Sequence, residues 1–215
     1  MTIDVKKFGK VAVVCGGFSS EREVSLDSGK AVLNALLSKG VDAHHFDPKE
    51  TSIEQLKDFD RVFNVLHGTF GEDGGLQGVL DGFGVPYTGC GVLASAIAMD
   101  KFRNRLIWQG FGLPNVPYVV LNDNTDFEQV EREFGLPLFA KPAAEGSSVG
   151  VVMVENAGEL AKIYPTLKQY HGEILGEKAI TGGEYACAIL GDEDFPSIRI
   201  IPKGKFYDYD AKYLR

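Results

Sequence analysis

The residues with the most chemistry in reach lie in KPAAEGSSVGV, from Lys141 to Val151. A lysine closes a strand-like run (PLFAK), a proline follows, and a loop of small, donor-rich residues leads back into a Val-rich strand. Gly and small residues let successive backbone N–H groups turn inward around an anion. Lys141 and Lys101 would add two cations, and a hydrogen bond with a charged partner contributes roughly 1.5–3 kcal/mol. Two lysines and the amides of Glu145–Gly150 therefore suffice to hold a polyphosphate, although a hairpin loop with surface lysines fits the spacing equally well. The stretch is neither a Walker loop, since no Gly-Lys-Ser/Thr follows, nor a G-x-G-x-x-G fingerprint.

Other candidates sit where strands end. Glu21 falls in the first turn of a helix just past a Gly-rich strand end, and His67 follows the third strand. Ligands of open α/β sheets bind at the carboxyl ends of strands, so both face one candidate edge. Taken singly, Glu21 is a favourable acid at a helix N-terminus and His67 a turn histidine. Glu177, Lys178 and Ile180 close a later strand, and Glu184 follows two glycines. Such a segment offers backbone groups to a base edge and a carboxylate to a ribose, but an ordinary charged turn is the simpler reading. The consecutive acids Asp192, Glu193 and Asp194 read as a solvated hairpin tip rather than a metal site.

The elements that must position these residues follow from periodicity. Lys10–Val14 is a short apolar strand, and Ser20 with Glu23 has capping-box spacing at the start of a helix. Helical spacing runs from Val24 to Leu36, with Gly40 as a stop. Val41–Phe46, Arg61–Leu66 and Val85–Tyr87 read as further strands, with a helix at Gly74–Phe83. This alternation predicts a parallel sheet covered by helices. A helical run then passes from about residue 92 through Met99, Asp100 and Lys101 to Trp108, before Pro114 and Pro117 interrupt it. Beyond lie a strand at Val116–Leu121, a helix at Asp126–Phe134, the two strands flanking the 141–151 loop, a helix near Ala157–Tyr170 and a strand at Glu173–Ile180. Glu184–Leu190, Phe195–Ile201 and Lys205–Asp208 read as antiparallel strands. The expected domains are 1–100, 101–183 and 184–215, the last being the start of a sheet that calls for further chain to cover it.

Composition narrows the classes. The chain has 215 residues, 44% of them apolar, and a net charge of −8. That is enough for a sizeable core, and the acidic balance argues against nucleic-acid binding. No apolar run reaches the ~18 residues of a membrane helix, so no membrane partner is expected. Cys15, Cys90 and Cys187 lack C-x-x-C spacing and read as small buried hydrophobes of a reduced, cytoplasmic protein.

Taken together, GGFSSEREVSLDSG, LHGTFGEDGGLQGVLDGFGVPYTGCGVLASAIAMDK, KPAAEGSSVGV and FYDYDAKYL resemble the D-alanine–D-alanine ligase family of ATP-grasp enzymes, from end to end of the chain. The resemblance implies a Rossmann-like N-terminal parallel sheet followed by an ATP-grasp α+β region. It implies that ATP phosphorylates one D-alanine, and that the amine of a second attacks the acyl phosphate to give D-Ala-D-Ala for peptidoglycan synthesis. By position, Glu21 would hold the first D-alanine's ammonium with His67 close by, and Ser147 and Tyr213 would hydrogen-bond with Glu21. Lys101 and Lys141 would bind ATP phosphates, with Gly146, Ser147, Ser148 and Gly150 closing over them and Lys212 joining on loop closure. Lys178 and Ile180 would meet adenine through their backbone, Glu177 would lie nearby, and Glu184 would bind the ribose.

The resemblance also implies Mg2+ or Mn2+, with no metal ligand within these residues, and a homodimer. Ala179 stands where relatives have a bulky aromatic. Family members continue beyond Arg215 with the metal ligands, so the 215 residues alone are not expected to ligate. Three rivals remain: an ester-forming D-alanyl–hydroxy-acid ligase, which Tyr213 disfavours; an NAD-dependent oxidoreductase, suggested by strand-Gly-Gly-helix and Asp47; and a nucleotide-binding fragment without catalysis.

Overall fold

The structure, a computed structural model, describes residues 4–202, 204, 207, 211 and 212. Tyr213 and most of the strand expected at Lys205–Asp208 lie outside the described residues. The chain divides into two compact units at Asn104/Arg105.

The first unit is organised by β1 (Lys10–Val14), α1 (Arg22–Ser38), β2 (Asp42–Phe46), β3 (Arg61–Asn64), α2 (Gly75–Phe83) and α3 (Val92–Met99). Its sheet is parallel, in the order β2-β1-β3. β1 is central, so both of its faces are covered and its sequence is a continuous apolar run. Ala12 and Val14 join Leu56, Leu76 and Leu80 in one core, while Val11 and Val13 pack with Val41 and Ala43 in another. The expected fourth strand at Val85–Tyr87 reduces to a single bridge between Val62 and Tyr87. Val62 N–H donates to the Pro86 carbonyl and Thr88 N–H to Val62; Pro86 has no N–H with which to extend the ladder.

Two helix ends differ from the expected ones. The N-cap of α1 is Glu21, not Ser20, and its side chain makes no capping bond. Ser19 does the local work instead: its Oγ accepts from Glu21 N–H and donates to the His67 carbonyl. A tertiary bond to the β3 loop thus outweighs the local capping box. The run from 92 to 108 is two helices, α3 and α4 (Lys101–Gly110). Asp100 is extended between them, and its carboxylate accepts from Arg103 N–H and pairs with the Arg103 guanidinium, so it starts a new helix.

α1 lies close against the sheet through small residues. Ser25 and Gly29 are buried, and a Cβ on Gly29 would stand 2.4 Å from both Cβ and Sγ of Cys15. Cys15 follows the central strand and its amide is bonded to Phe46, so it cannot retreat. Gly29→Ala is expected to destabilise by about 1–2 kcal/mol, because overpacking outweighs the roughly 1 kcal/mol gain in helix propensity. A denaturant midpoint at or above wild type would contradict this.

The second unit holds a four-stranded antiparallel sheet, β4 (Tyr118–Leu121), β7 (Ile174–Lys178), β5 (Leu138–Pro142) and β6 (Val152–Val154), in that order. Side chains alternate across it. Leu121, Leu138, Ala140, Val154 and Ile174 pack with Val130 of α5 (Phe127–Phe134) and with Leu160, Tyr164 and Leu167 of α6 (Leu160–Leu167). Register sets Tyr118, Phe139, Lys141 and Glu177 on the opposite face. Glu131 of α5 is buried, and its carboxylate accepts from the Gly158 and Leu160 amides, capping the start of α6. The region read as two long strands is four short ones: β8 (Glu184–Ala186) pairs with β11 (Ile198–Ile200), and β9 (Ile189–Leu190) with β10 (Glu193–Asp194). Asp192 falls in the β9–β10 turn, where Glu193 and Asp194 are exposed, as a solvated tip requires.

Candidate functional site

In the first unit the carboxyl edge of the sheet gathers the ends of β1, β2 and β3. Glu21 is 2% exposed although charged. Gly68, with φ +68°, passes so close that a Cβ there would meet Glu21 Oε2 at 2.7 Å. Only glycine fits that turn, on both conformation and space. His67, one residue earlier, is tied through its carbonyl to Ser19 Oγ at 2.7 Å, and its Nε2 is buried without a hydrogen-bond partner. Ser25 Oγ accepts from Gly16 N–H and donates to the Val65 carbonyl, joining the β1 and β3 ends. Glu21 and His67 are thus brought to one edge, as expected.

Asp47, at the end of β2, has another occupation. It is 2% exposed, accepts from the Gly17 and Lys49 amides, and pairs with Arg22 at 2.7 Å. An acid so fully engaged is not free to hold a ribose, which removes the feature that suggested an NAD enzyme. Burial pushes its carboxyl up, but Arg22 and the two amides outweigh burial and hold it below the ordinary carboxylate range. A depressed pKa contributes stability above the unfolded value, near 3.9, and that contribution is lost as pH falls through the depressed value. Asp47→Asn is expected to cost about 2–3 kcal/mol at pH 7, less than a fully buried pair because Arg22 keeps some solvent. The gap from wild type should narrow below about pH 4; a constant gap in denaturant titrations across pH 3–7 would count against it.

Among the described residues, His45, Asp47 and Glu50 form the one trio spaced to hold a metal ion. It does not fit a divalent cation, because Arg22 lies 2.7 Å from Asp47 and 3.5 Å from Glu50. Cys15, 3.3 Å from His45 Nδ1, is pushed up to about 11 by burial, with Asp47 adding to the rise; it is the inert hydrophobe expected. Cys90 and Cys187 are exposed instead.

In the second unit β5 delivers Lys141 to the foot of the 143–151 loop. Ser147 and Ser148 both have left-handed backbones, φ 48° and 64°, as does Gly150 at 67°. Consecutive non-Gly residues there are strained and persist only where surroundings hold them. Ser148 Oγ donates to the Tyr207 carbonyl at 3.2 Å and accepts from Lys212 Nζ at 3.0 Å. A Cβ on Gly150 would meet Tyr170 at 2.8 Å and Pro142 at 3.0 Å. Ser148 thus anchors the loop, with Lys212 brought onto it, and such a turn presents backbone amides to an anion.

Lys141 Nζ lies 2.5 Å from Glu177 Oε2, and Arg105 Nη2 pairs with Glu177 Oε1. Arg105 is held further by Asn115, donating to its Oδ1 at 2.8 Å while Asn115 Nδ2 donates to the Arg105 carbonyl at 2.9 Å. Neither Arg105 nor Asn115 stood out in the sequence. Lys178, Ile180 and Glu184 are exposed at the end of β7 and the start of β8. Lys101 is the first residue of α4, in the first unit.

A family model described as "D-ala D-ala ligase C-terminus" matches residues 107–215, and one described as "D-ala D-ala ligase N-terminus" matches 38–90. A D-alanine–D-alanine ligase of Neisseria meningitidis serogroup A is 60% identical over 213 residues, spanning 98% of this chain and 70% of that protein. The crystal structure of D-alanine–D-alanine ligase from Bacillus anthracis aligns with a TM-score of 0.82 at 34% identity, over 94% of this chain and 68% of that one. The same enzyme complexed with ATP aligns with a TM-score of 0.80 at 32% identity, over 93% and 68%. Among the described residues no helix is long and apolar enough to cross a membrane. With two family models, high identity and shared fold in agreement, this chain belongs to the D-alanine–D-alanine ligase family.

Proposed function

We propose that this chain works in the ATP-dependent joining of two D-alanines, holding ATP through its second unit and the first D-alanine through Glu21. The observation that carries the reading is the Lys141 loop. A strand-end lysine stands beneath two left-handed serines, and Lys212 is drawn onto Ser148. A carboxylate is a poor acyl donor until its oxygen leaves easily, so phosphorylation by ATP would activate one D-alanine for attack by the amine of the next. Glu21 would bind the ammonium, with His67 beside it.

Lys141, Lys212 and the backbone of Gly146, Ser147, Ser148 and Gly150 would bind phosphates. Lys178 and Ile180 would meet adenine through their backbone and Glu184 would take the ribose, with Glu177 nearby; Lys178, Ile180 and Glu184 are exposed at the end of β7 and the start of β8. Such loops exclude water from an acyl phosphate. Mg2+ or Mn2+ would offset phosphate charge; the His45, Asp47 and Glu50 trio does not fit it, because Arg22 occupies that place. A homodimeric, cytoplasmic enzyme goes with this reading.

Calorimetric titration of the folded chain with ATP, in the presence of Mg2+ and D-alanine, tests the proposal. Saturable ATP binding that D-alanine tightens and L-alanine does not is the expected result. A folded chain indifferent to ATP would overturn it. Light scattering tests the dimer.

A further inference from the structure

Glu177 is 4% exposed and shares its two oxygens between two cations, Lys141 and Arg105. With Lys141 alone, the carboxylate would cancel the ammonium and leave a neutral pair facing any phosphate. With Arg105 added, two cations and one anion leave a net positive charge beside the 143–151 loop. Arg105 is a costly way to achieve this for stability alone. It is 8% exposed, its Nε is buried without a hydrogen-bond partner, and its guanidinium rests 5.5 Å from the Tyr118 ring centroid. An apolar side chain of similar size would fill the same space with no unmatched donor. The Asn115 clasp holds the fork in place so that one arm stays on Glu177.

We propose that Arg105 is a positioning residue for the ligase reaction: by occupying Glu177, it leaves the charge of Lys141 available to the polyphosphate of the nucleotide. Arg105 touches no substrate in this scheme and acts through Glu177. The proposal rests on the ATP-binding reading above.

The test compares ATP with adenosine, which lacks phosphates, by calorimetry on the full chain. Wild type, Arg105→Met, Arg105→Lys and the double variant Arg105→Met/Glu177→Gln are measured. Arg105→Met should weaken ATP at least tenfold while changing adenosine less than threefold. Arg105→Lys, which keeps the charge, should hold the ATP-to-adenosine ratio within about threefold of wild type. The double variant, with Lys141 no longer neutralised, should recover that ratio. Equal losses for ATP and adenosine would mean a merely structural role and overturn the proposal. So would an unchanged ratio in Arg105→Met, or a double variant as weak toward ATP as the single. Should Arg105→Met not fold, Arg105→Gln, neutral and polar, gives the same comparison. If wild type binds adenosine but not ATP, the ATP-binding reading fails first and takes this one with it.

Discussion

Glu177→Leu should lower the stability of the second unit by roughly 3–5 kcal/mol, the cost of leaving buried charges without their partner. Two cations depend on this carboxylate. The side chains of Arg105, Lys141 and Glu177 are only 10%, 18% and 5% exposed. Leucine fills the volume but leaves both charges desolvated and repelling. For a unit of about this size the loss corresponds to a fall of about 10–20 °C in melting temperature, readable by circular dichroism. A shift below a few degrees would mean that the pairs are weaker than their geometry implies.

Lys141→Met should give the opposite profile: a sound fold and lost binding. Glu177 keeps Arg105 and its place in the sheet, so the melting temperature should move little. The ammonium at the foot of the loop is gone, however. Removing one charge-assisted hydrogen bond, worth roughly 1.5–3 kcal/mol, should weaken ATP by roughly 10- to 150-fold. Retained affinity in a folded Lys141→Met variant would remove Lys141 from the nucleotide site and undermine the phosphate-binding reading of the loop.

How far these features were legible beforehand depends on whether local pattern or tertiary contact decided them. β1 declares itself as a continuous apolar run, and the apolar face of β5 by its alternating burial. Lys141 and Gly150 were visible as an unusual juxtaposition of a strand end with a small-residue loop. The start of α1 was not, because three adjacent polar residues compete for the cap, and Ser19 wins through a bond to His67, far along the chain. The α3–α4 break depended on one side chain, Asp100, turning back on Arg103. Arg105 and Glu131 stayed hidden for a plainer reason. On a helix, a buried Arg or Glu has the same letter as exposed Arg103, Glu128 or Glu133, and only its partner elsewhere distinguishes it. Tyr118 pointed to a strand; nothing pointed to the guanidinium over its ring.

The two faces of the second sheet leave a mark beyond this molecule. Along β5, neighbouring positions answer to different demands: Leu138 and Ala140 to interior packing, Lys141 to charge. A mutational library sorted once for soluble expression and again for nucleotide capture should therefore show the two selections acting on adjacent codons of β5. On β5, stepping from Ala140 to Lys141 exchanges a folding phenotype for a functional one.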